Sequence, residues 1–217
     1  MNVFLSVGAT YSDEQERFVS AFEQFLSRNG CVRLTVGRGS EGARQPILQA
    51  RDLMATADAV IVIAFTRLRV VQAFEKPGSN EQEEITERKY PTVWNQLEAA
   101  MGFGLNLPLL VIMEKGLHEE AMLKDRMEFR VLYSPLDPAL FSSVKFQQAF
   151  DDFKTITEKR AAERKAAHAA DFSDKWTMGQ FLGNLRPDQF WKVGAALFSV
   201  LAAVAAAAFW LGRHLPR

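Results

Sequence analysis

AVIVIAF, residues 59–65, is the stretch that decides the fold class of this chain. It is apolar throughout, so it lacks the alternation of polar and apolar side chains that marks a strand with one face in water. A short run of this kind is typical of a strand buried on both faces in the middle of a parallel sheet. We therefore expect helices on both sides of it.

Strand and helix patterns alternate before and after this segment. Short apolar runs predict further strands, and apolar residues at steps of three and four predict helices. The predicted order is strand 3–7, helix 12–29, strand 32–36, helix 47–54, strand 59–65, helix 91–105, strand 109–113, a candidate strand 129–133 and a long polar helix from about 143 to 169. This alternation predicts an α/β domain over residues 1–140 with a flavodoxin-like open parallel sheet.

One charged stretch, residues 66–90, fits neither pattern. It contains a Pro-Gly turn signal at 77–78, which is followed by four glutamates. Connections of this length are usually lids, binding loops or disordered segments. We expect one of these between the third strand and the next helix.

The composition excludes several classes of function. The 217 residues include 26 basic and 26 acidic side chains, and a balanced charge offers no general attraction to nucleic acid. The single cysteine, Cys31, excludes a disulfide framework within the chain and a multi-cysteine zinc site. His118, His168 and His214 are scattered along the chain. We therefore expect neither direct nucleic-acid binding nor a metal site.

Residues 193–212, VGAALFSVLAAVAAAAFWLG, form an uncharged run of the length that crosses a hydrocarbon core of about 30 Å. Trp191 and Trp210 stand at its two ends, and indole rings prefer the membrane interface. The pattern predicts a transmembrane helix over residues 191–213, joined to the α/β domain by a helical spacer and linker over 141–190. The alternative is an Ala-rich helix buried in a soluble domain.

Basic side chains are concentrated before this apolar run, and only Arg213 and Arg217 follow it among Lys and Arg. The positive-inside rule then places the N-terminal domain in the cytoplasm and the chain in the inner membrane as a single-pass, tail-anchored protein. The segment 154–170 is charged nearly all round, so we expect a solvated spacer there. A self-association helix or a contact with anionic lipid is the alternative.

Glu98 is the leading candidate for a catalytic residue. The predicted helix that carries it is apolar on the side of Leu97 and Met101, and Trp94 lies one turn earlier on the same face. A carboxylate beside an indole in a strand-end cleft is expected to have a raised pKa and to act as a nucleophile or general base. The alternative is a surface glutamate on an exposed edge of the helix.

Ligands of open α/β sheets bind beyond the carboxyl ends of the strands, so the residues that follow each strand are the other candidates. The turn after the first strand offers hydroxyls and free N–H groups that hold phosphate or ribose, or simply cap the helix. A glycine-rich loop after the second strand carries an arginine and could cradle phosphate, but it matches neither the dinucleotide-binding nor the P-loop pattern. The cations after the third strand either meet an anionic ligand or pair with nearby acids. The predicted nucleotide-binding set is Ser6, Gly8, Tyr11, Arg38, Thr66, Arg67 and Trp94.

Three segments resemble known families. VFLSV at 3–7 with YSD at 11–13 resembles the opening of TIR domains, a strand ending in a serine and then a helix. WNQLE at 94–98 is similar to the TIR segment in which a tryptophan precedes the catalytic glutamate by four residues. LEAAMGFGLNLPL at 97–109 looks equally like the nucleoside 2-deoxyribosyltransferase pattern, a glutamate in a small-residue helix before a Pro-led strand.

The resemblance implies a function at N-glycosidic bonds, because both families use a glutamate there on a flavodoxin-like architecture. Glu98 would attack or stabilise the anomeric carbon of NAD or a related nucleotide, the turn from Ser6 to Tyr11 would touch the nucleotide, and Trp94 would pack behind the site. NAD-cleaving TIR proteins act as cell-suicide effectors in bacterial antiphage defence. The resemblance therefore implies a membrane-anchored effector of that kind.

Three functions stay open on this evidence. The chain is an N-glycosidase, or a sensor that binds a nucleotide signal without cleaving it and responds by oligomerisation, or a TIR-like self-association adaptor. No cofactor is expected beyond NAD or another nucleotide as substrate or ligand. The expected partners are the membrane and further copies of the chain.

Overall fold

The computed structural model of the protein describes residues 1–37, 45–124 and 130–175. Along these residues the strands and α-helices are β1 (Asn2–Val7), α1 (Asp13–Arg28), β2 (Val32–Leu34), α2 (Pro46–Met54), β3 (Ala59–Ala64), β4 (Leu68–Glu75), β5 (Glu83–Tyr90), α3 (Val93–Gly104), β6 (Leu109–Glu114), β7 (Arg130–Ser134) and α4 (Val144–Lys175). Five of the strands form a parallel sheet in the order β2-β1-β3-β6-β7. This is the strand order of flavodoxin-like sheets.

β3 is the central strand of this sheet. Its Ile61 lies opposite Leu5 of β1 on one side and Leu110 of β6 on the other. All six of its residues are buried, because helices cover both faces of the sheet. The uninterrupted apolar sequence of the strand predicts this environment.

Two hydrophobic clusters fill the layers between the sheet and the helices. On one face α1 and α4 pack their phenylalanines against strand residues such as Ile61, and the rings of Phe25 and Phe150 lie 4.8 Å apart. On the other face α2 and α3 pack against the alternate strand residues, such as Val60. The alternation of side chains along each strand therefore assigns the helices to opposite faces.

The first half of α4 belongs to the core of the α/β unit. Phe146, Phe150 and Phe153 are buried there, and their spacing of four and three residues places them on one face of the helix. The compact unit accordingly extends to Glu163, and a second unit comprises residues 164–217. The predicted spacer over 141–190 therefore includes the first half of α4, which belongs to the core. In the sequence, the many charges around this helix obscure its narrow phenylalanine stripe.

The charged stretch 66–90 is a β-hairpin, which corrects the expectation of a lid, loop or disordered segment. β4 and β5 pair antiparallel from Leu68 opposite Tyr90 to Glu75 opposite Glu83. Polar side chains that look like a solvated loop in the sequence meet across the two strands, a stabilising arrangement in antiparallel pairs. The contacts across the strands are Arg69 with Glu87, Gln72 with Glu84, and Arg88 with Glu75, and Arg88 also contacts Glu83 on its own strand.

The predicted fold class is wrong in its final element, the membrane-spanning helix. Among the residues described, no helix combines the length and the apolar character that crossing a bilayer requires. The longest described helix, α4, has charged residues in most of its turns. The segment 191–213, on which the prediction rested, lies outside the described residues.

Candidate functional site

A cleft of about 460 Å³ opens at the carboxyl ends of β1 and β3. Its walls come mainly from the segment after β1, the segment after β3 and the start of α3. The helix that follows β1 packs on one face of the sheet, and α3, which follows β3 and the hairpin, packs on the other. The chain therefore leaves these neighbouring strands in opposite directions, and open α/β sheets bind their ligands at such a switch point.

α3 carries Glu98 into this cleft. The helix begins after Thr92, whose hydroxyl accepts a hydrogen bond of 3.3 Å from the Trp94 N–H. Asn95, Glu98 and Gly102 then lie on the buried side of the helix. Glu98 is only 8% exposed, which excludes the alternative of a surface glutamate.

The Glu98 carboxyl is the strongly perturbed acid of this cleft. Burial raises its pKa from 4.5 to about 7, and a hydrogen bond from the Ser6 hydroxyl opposes that shift. The group therefore changes charge close to neutral pH, which is where a catalytic nucleophile or base must be poised. A raised pKa agrees with the expectation from the sequence, but its cause is burial, since Trp94 is itself 42% exposed.

Asn95 holds Ser6 in position for Glu98. The Asn95 side-chain Nδ2 donates to the Ser6 Oγ at 3.0 Å and lies 3.4 Å from the carbonyl oxygens of Ser6 and Ile63. Because the Ser6 oxygen accepts this bond, its own proton is free to point at the Glu98 carboxylate. Asn95 and Ser6 are each 1% exposed. The three side chains thus form a buried chain of hydrogen bonds that favours the charged form of Glu98.

Gly8 keeps the end of β1 close to the start of α3. A Cβ atom added to Gly8 would lie 3.3 Å from the Thr92 Cγ2 and 3.9 Å from the Phe65 Cε2. Both neighbours line the cleft, so a side chain at this position would fill space between its two walls. Gly8, which belongs to the predicted nucleotide-binding set, therefore leaves room in the cleft.

Aromatic rings and one cation complete the described lining. Tyr11 is 58% exposed, and its ring meets the buried Phe65 edge-on at a centroid distance of 6.2 Å. Trp94 also lines the cleft rather than packing behind it. Arg67 is exposed at the same opening. Flat ring faces and a guanidinium are groups that contact bases and phosphates.

The structure brings together most, but not all, of the predicted site residues. Gly8, Tyr11, Arg67, Trp94 and Glu98 line one cleft, with Ser6 directly behind Glu98. Thr66 is not in the lining: its N–H donates to the Glu114 carboxylate at 2.6 Å, and its Oγ1 is buried with no hydrogen-bond partner among the described residues. Arg38 lies in 38–44, outside the described residues.

Sequence reasoning missed two residues that shape this site. Asn95 was read only as part of a motif, although its place three residues before Glu98 puts both side chains on one helix face. Gln15, which is 6% exposed, donates to the Thr66 carbonyl at 3.3 Å and accepts from the Tyr11 N–H at 3.1 Å. It therefore ties the segment after β1 to the segment after β3. Its burial depends on tertiary packing, and no local signal indicated it.

A second cavity, of about 540 Å³, lies where β6 begins, at the opposite end of that strand from the cleft. Its charged side chains have partners within the cavity wall: Arg130 lies 3.5 Å from Asp152, and Arg160 donates to Asn106 at 3.0 Å. This cavity is lined by none of the residues that were predicted to carry chemistry and that line the cleft, namely Gly8, Tyr11, Arg67, Trp94 and Glu98. We therefore place the candidate site in the cleft.

Comparisons with known proteins add little to this geometry. No protein-family model matches the chain, and no curated protein matches it either. A solved structure that it resembles is FerB, a flavoenzyme NAD(P)H:(acceptor) oxidoreductase from Paracoccus denitrificans, with 17% sequence identity and a TM-score of 0.38 over 73% of this chain and 97% of that one. No family and no activity follow from a likeness of this size.

Replacing Ser6 by alanine is expected to raise the pKa of Glu98 further, because the variant loses the one hydrogen bond that lowers it. If the charged carboxylate is the reactive form, the pH at which kcat/KM reaches half its maximum should move upward from about 7. The measurement is the pH profile of the reaction proposed below.

Ser134→Ala is the matched control for this variant. Ser134 is a fully buried serine at the end of β7, and its Oγ accepts from the Leu136 N–H at 3.2 Å. Loss of the Ser134 hydroxyl perturbs the fold without changing a contact of Glu98. An unchanged midpoint in Ser6→Ala, or an equal movement in both variants, would contradict the role of Ser6.

Proposed function

We propose that the cleft binds a nucleotide and that Glu98 acts on its N-glycosidic bond, with NAD as the preferred substrate. One observation carries the proposal: a nearly buried carboxyl with a pKa of about 7, held by a serine, lines a cleft at the switch point of the sheet. Both the charged and the neutral form of this carboxyl are then populated near neutral pH. A buried carboxylate beside a cleft is well suited to meet positive charge that develops on a substrate.

The proposed reaction runs in two steps. The Glu98 carboxylate attacks or stabilises the anomeric carbon as the bond to the base nitrogen breaks, and the electron pair of that bond leaves with the nitrogen. Water then adds its oxygen to the anomeric carbon and releases a proton to solvent; where Glu98 has bonded to that carbon, this bond breaks and its electron pair returns to the Glu98 oxygen, which regenerates the carboxylate. The products are the free base and the remaining sugar nucleotide, so no redox partner is required.

The leaving group supports NAD over a neutral nucleoside. In the described lining, Glu98 is the one carboxyl group, so it cannot serve as the nucleophile and also protonate the departing base. A purine or pyrimidine leaves readily only when its nitrogen is protonated, whereas the pyridinium of NAD departs as a neutral molecule. A site with a single acid therefore favours the pyridinium nucleotide.

The rest of the lining suits the parts of such a substrate. The exposed rings of Tyr11 and Trp94 offer surfaces for stacking a flat base. The Arg67 guanidinium offers a charge-assisted contact to a phosphate. The polar groups are few and the lining is otherwise apolar, as is common in small-molecule sites.

The test is a product assay on the full-length protein. Protein at high concentration is incubated with NAD and, separately, with a panel of nucleosides, and free base is measured by chromatography. We expect nicotinamide release from NAD, little release from nucleosides, and no release by Glu98→Gln.

The remaining outcomes of this assay separate the competing functions. Equal release by wild type and Glu98→Gln would overturn the role of Glu98. If no substrate released free base but NAD raised the melting temperature, the protein would be a nucleotide sensor and not an enzyme. No release and no stabilisation would overturn nucleotide recognition altogether.

A further inference from the structure

The β4–β5 hairpin exposes an apolar edge strand. Among the described residues β4 pairs with β5 alone, so the N–H and C=O groups on its other edge have no strand beside them. Leu68, Val71 and Phe74 are 56%, 63% and 53% exposed. Three large apolar side chains in eight residues are unusual for a strand that faces water on both sides.

Such an edge is a site for pairing with another strand. A two-stranded ribbon is marginally stable in water, and natural proteins usually protect a free edge with proline, inward charges or a short strand. β4 is eight residues long and has no proline, and its charged residues lie near its two ends, at Arg69 and Glu75. Its middle, from Val70 to Phe74, carries no charge.

We propose that β4 pairs antiparallel with β4 of a second copy of this chain, with the twofold axis at Gln72. The two hairpins then form one continuous four-stranded sheet. An isologous contact of this kind uses the same strand on both copies and closes on itself, so it produces a dimer and not a fibre. The interface lies outside the cleft lining and does not depend on the proposed reaction.

The sequence of β4 is complementary to itself in this register. Antiparallel pairing about Gln72 places Arg69 opposite Glu75 of the second copy, at both ends of the interface. Between them Val70 meets Phe74, Val71 meets Ala73, and the two Gln72 amides face one another. Opposite charges and apolar pairs are the combinations that stabilise directly opposed positions.

Neighbouring registers lose this match. An axis on Ala73 places Val71 opposite Glu75 and Gln72 opposite Phe74. An axis on Val71 keeps Leu68 opposite Phe74 but places Arg69 opposite Ala73 and Val70 opposite Gln72. Both alternatives set polar or charged side chains against apolar ones, so the axis at Gln72 is the favoured arrangement.

Disulfide cross-linking of full-length Gln72→Cys tests both the surface and the register. Directly opposed residues of an antiparallel pair have Cα atoms about 5 Å apart, which permits a disulfide. The matched control is Thr86→Cys, an exposed residue opposite Gln72 on β5. In the proposed dimer the two copies of residue 86 would lie three strand spacings apart, about 14 Å, too far to be bridged. Cys31 is buried and present in both variants.

We expect Gln72→Cys to give a disulfide-linked dimer under mild oxidation, and Thr86→Cys and the wild type to stay uncrosslinked. A Val71→Lys substitution in the Gln72→Cys background should reduce the cross-linked fraction at least about tenfold, because two new charges would face the apolar centre. No cross-link at residue 72, or equal cross-linking at residue 86, overturns the proposal. Base release by the wild type is measured separately, so each proposal can fail without the other.

Discussion

Replacing Glu98 by glutamine is expected to abolish base release while making the fold more stable above neutral pH. The amide has nearly the same shape as the carboxyl and can still accept a hydrogen bond from Ser6, but it cannot supply the negative charge that the reaction needs. Loss of a nucleophile should lower kcat by at least about a thousandfold. The measurement is nicotinamide release by the variant and the wild type at pH 8.

The gain in stability follows from the cost of burying a charge. The pKa of Glu98 is about 7 in the folded protein and 4.5 in the reference state, so the fold binds this proton more tightly than the unfolded chain does. Stability is therefore fully retained below about pH 4.5 and is lost as the pH rises through 7. The loss for the wild type is about 3 kcal/mol, and Glu98→Gln avoids it.

Unfolding by urea near pH 4 and pH 8 measures this effect. We expect the two proteins to be of similar stability at the lower pH and the variant to be about 3 kcal/mol more stable at the higher one. Glu119→Gln, which removes an exposed carboxylate, is the control for a simple change of net charge. If the advantage of Glu98→Gln did not grow with pH, Glu98 would not be buried as described.

Replacing Gly102 by alanine is expected to have the second largest effect. A Cβ on Gly102 would lie 2.6 Å from the Val60 Cγ2 and 3.3 Å from the Val60 Cβ. Val60 is fully buried in the central strand, and its branched side chain has little freedom to rotate away. α3 must therefore move away from β3. Overpacking of this kind destabilises by about 1–3 kcal/mol.

The same movement should impair the site. Gly102 lies one turn after Glu98 on the buried side of α3, so a displaced helix withdraws the carboxyl from Ser6 and from the cleft. We expect Gly102→Ala to lower both the melting temperature and the rate of base release, which thermal unfolding and the product assay measure.

Gly104→Ala is the matched control on the same helix. Apart from its own helix and chain neighbours, no atom of the described residues lies within 4 Å of the Cβ position at Gly104, and alanine favours helix by up to about 1 kcal/mol over glycine. This variant should be as stable as the wild type or slightly more so. Adding Val60→Ala to Gly102→Ala should recover part of the loss, because it removes the clashing methyl groups. If the stability losses of the single variants Gly102→Ala and Val60→Ala simply added in the double variant, the steric explanation would be contradicted.

Stability and function make opposite demands at residue 98, whereas at Gly102 both favour the close approach of α3 to β3. Gly102 allows the helix to approach β3 closely, which buries Glu98, and that burial both destabilises the charged fold and brings the pKa of the carboxyl to about 7. A protein selected for stability alone would place an apolar side chain at residue 98. A buried acid that lowers stability is what a functional site commonly contains.

The sequence pointed to Glu98 as the candidate residue, but it did not show why the pKa of Glu98 is raised. Glu98 stands out in the sequence because it follows a tryptophan by four residues in a helix of small residues. The pKa of Glu98 depends on which face of α3 is buried. The spacing of the apolar residues indicated that the face carrying Leu97 is the buried one. The structure buries Asn95, Glu98 and Ala99 and leaves Leu97 43% exposed. Polar side chains on the sheet-facing side reverse the usual pattern, so hydrophobicity alone points to the wrong face.

The β4–β5 hairpin also could not be predicted from local sequence patterns. Its strands carry many polar and charged side chains that stay exposed while they pair across the ribbon, so a periodicity test does not find them. The pairs Arg69–Glu87 and Gln72–Glu84 join residues 18 and 12 positions apart in the sequence. Nothing local to either strand specifies the partner, since the register emerges only when the two strands meet.

The sequence by itself determined the α/β class, the doubly buried central strand and the glutamate worth testing, because these follow from runs and spacings within single elements. Only the tertiary structure decided which residues converge on the cleft and how strongly Glu98 is perturbed. Ser6, Arg67 and Glu98 lie on three separate segments, and their approach depends on strand order and helix placement. Burial, which sets the charge state of Glu98, is a property of the whole packed unit and not of any segment.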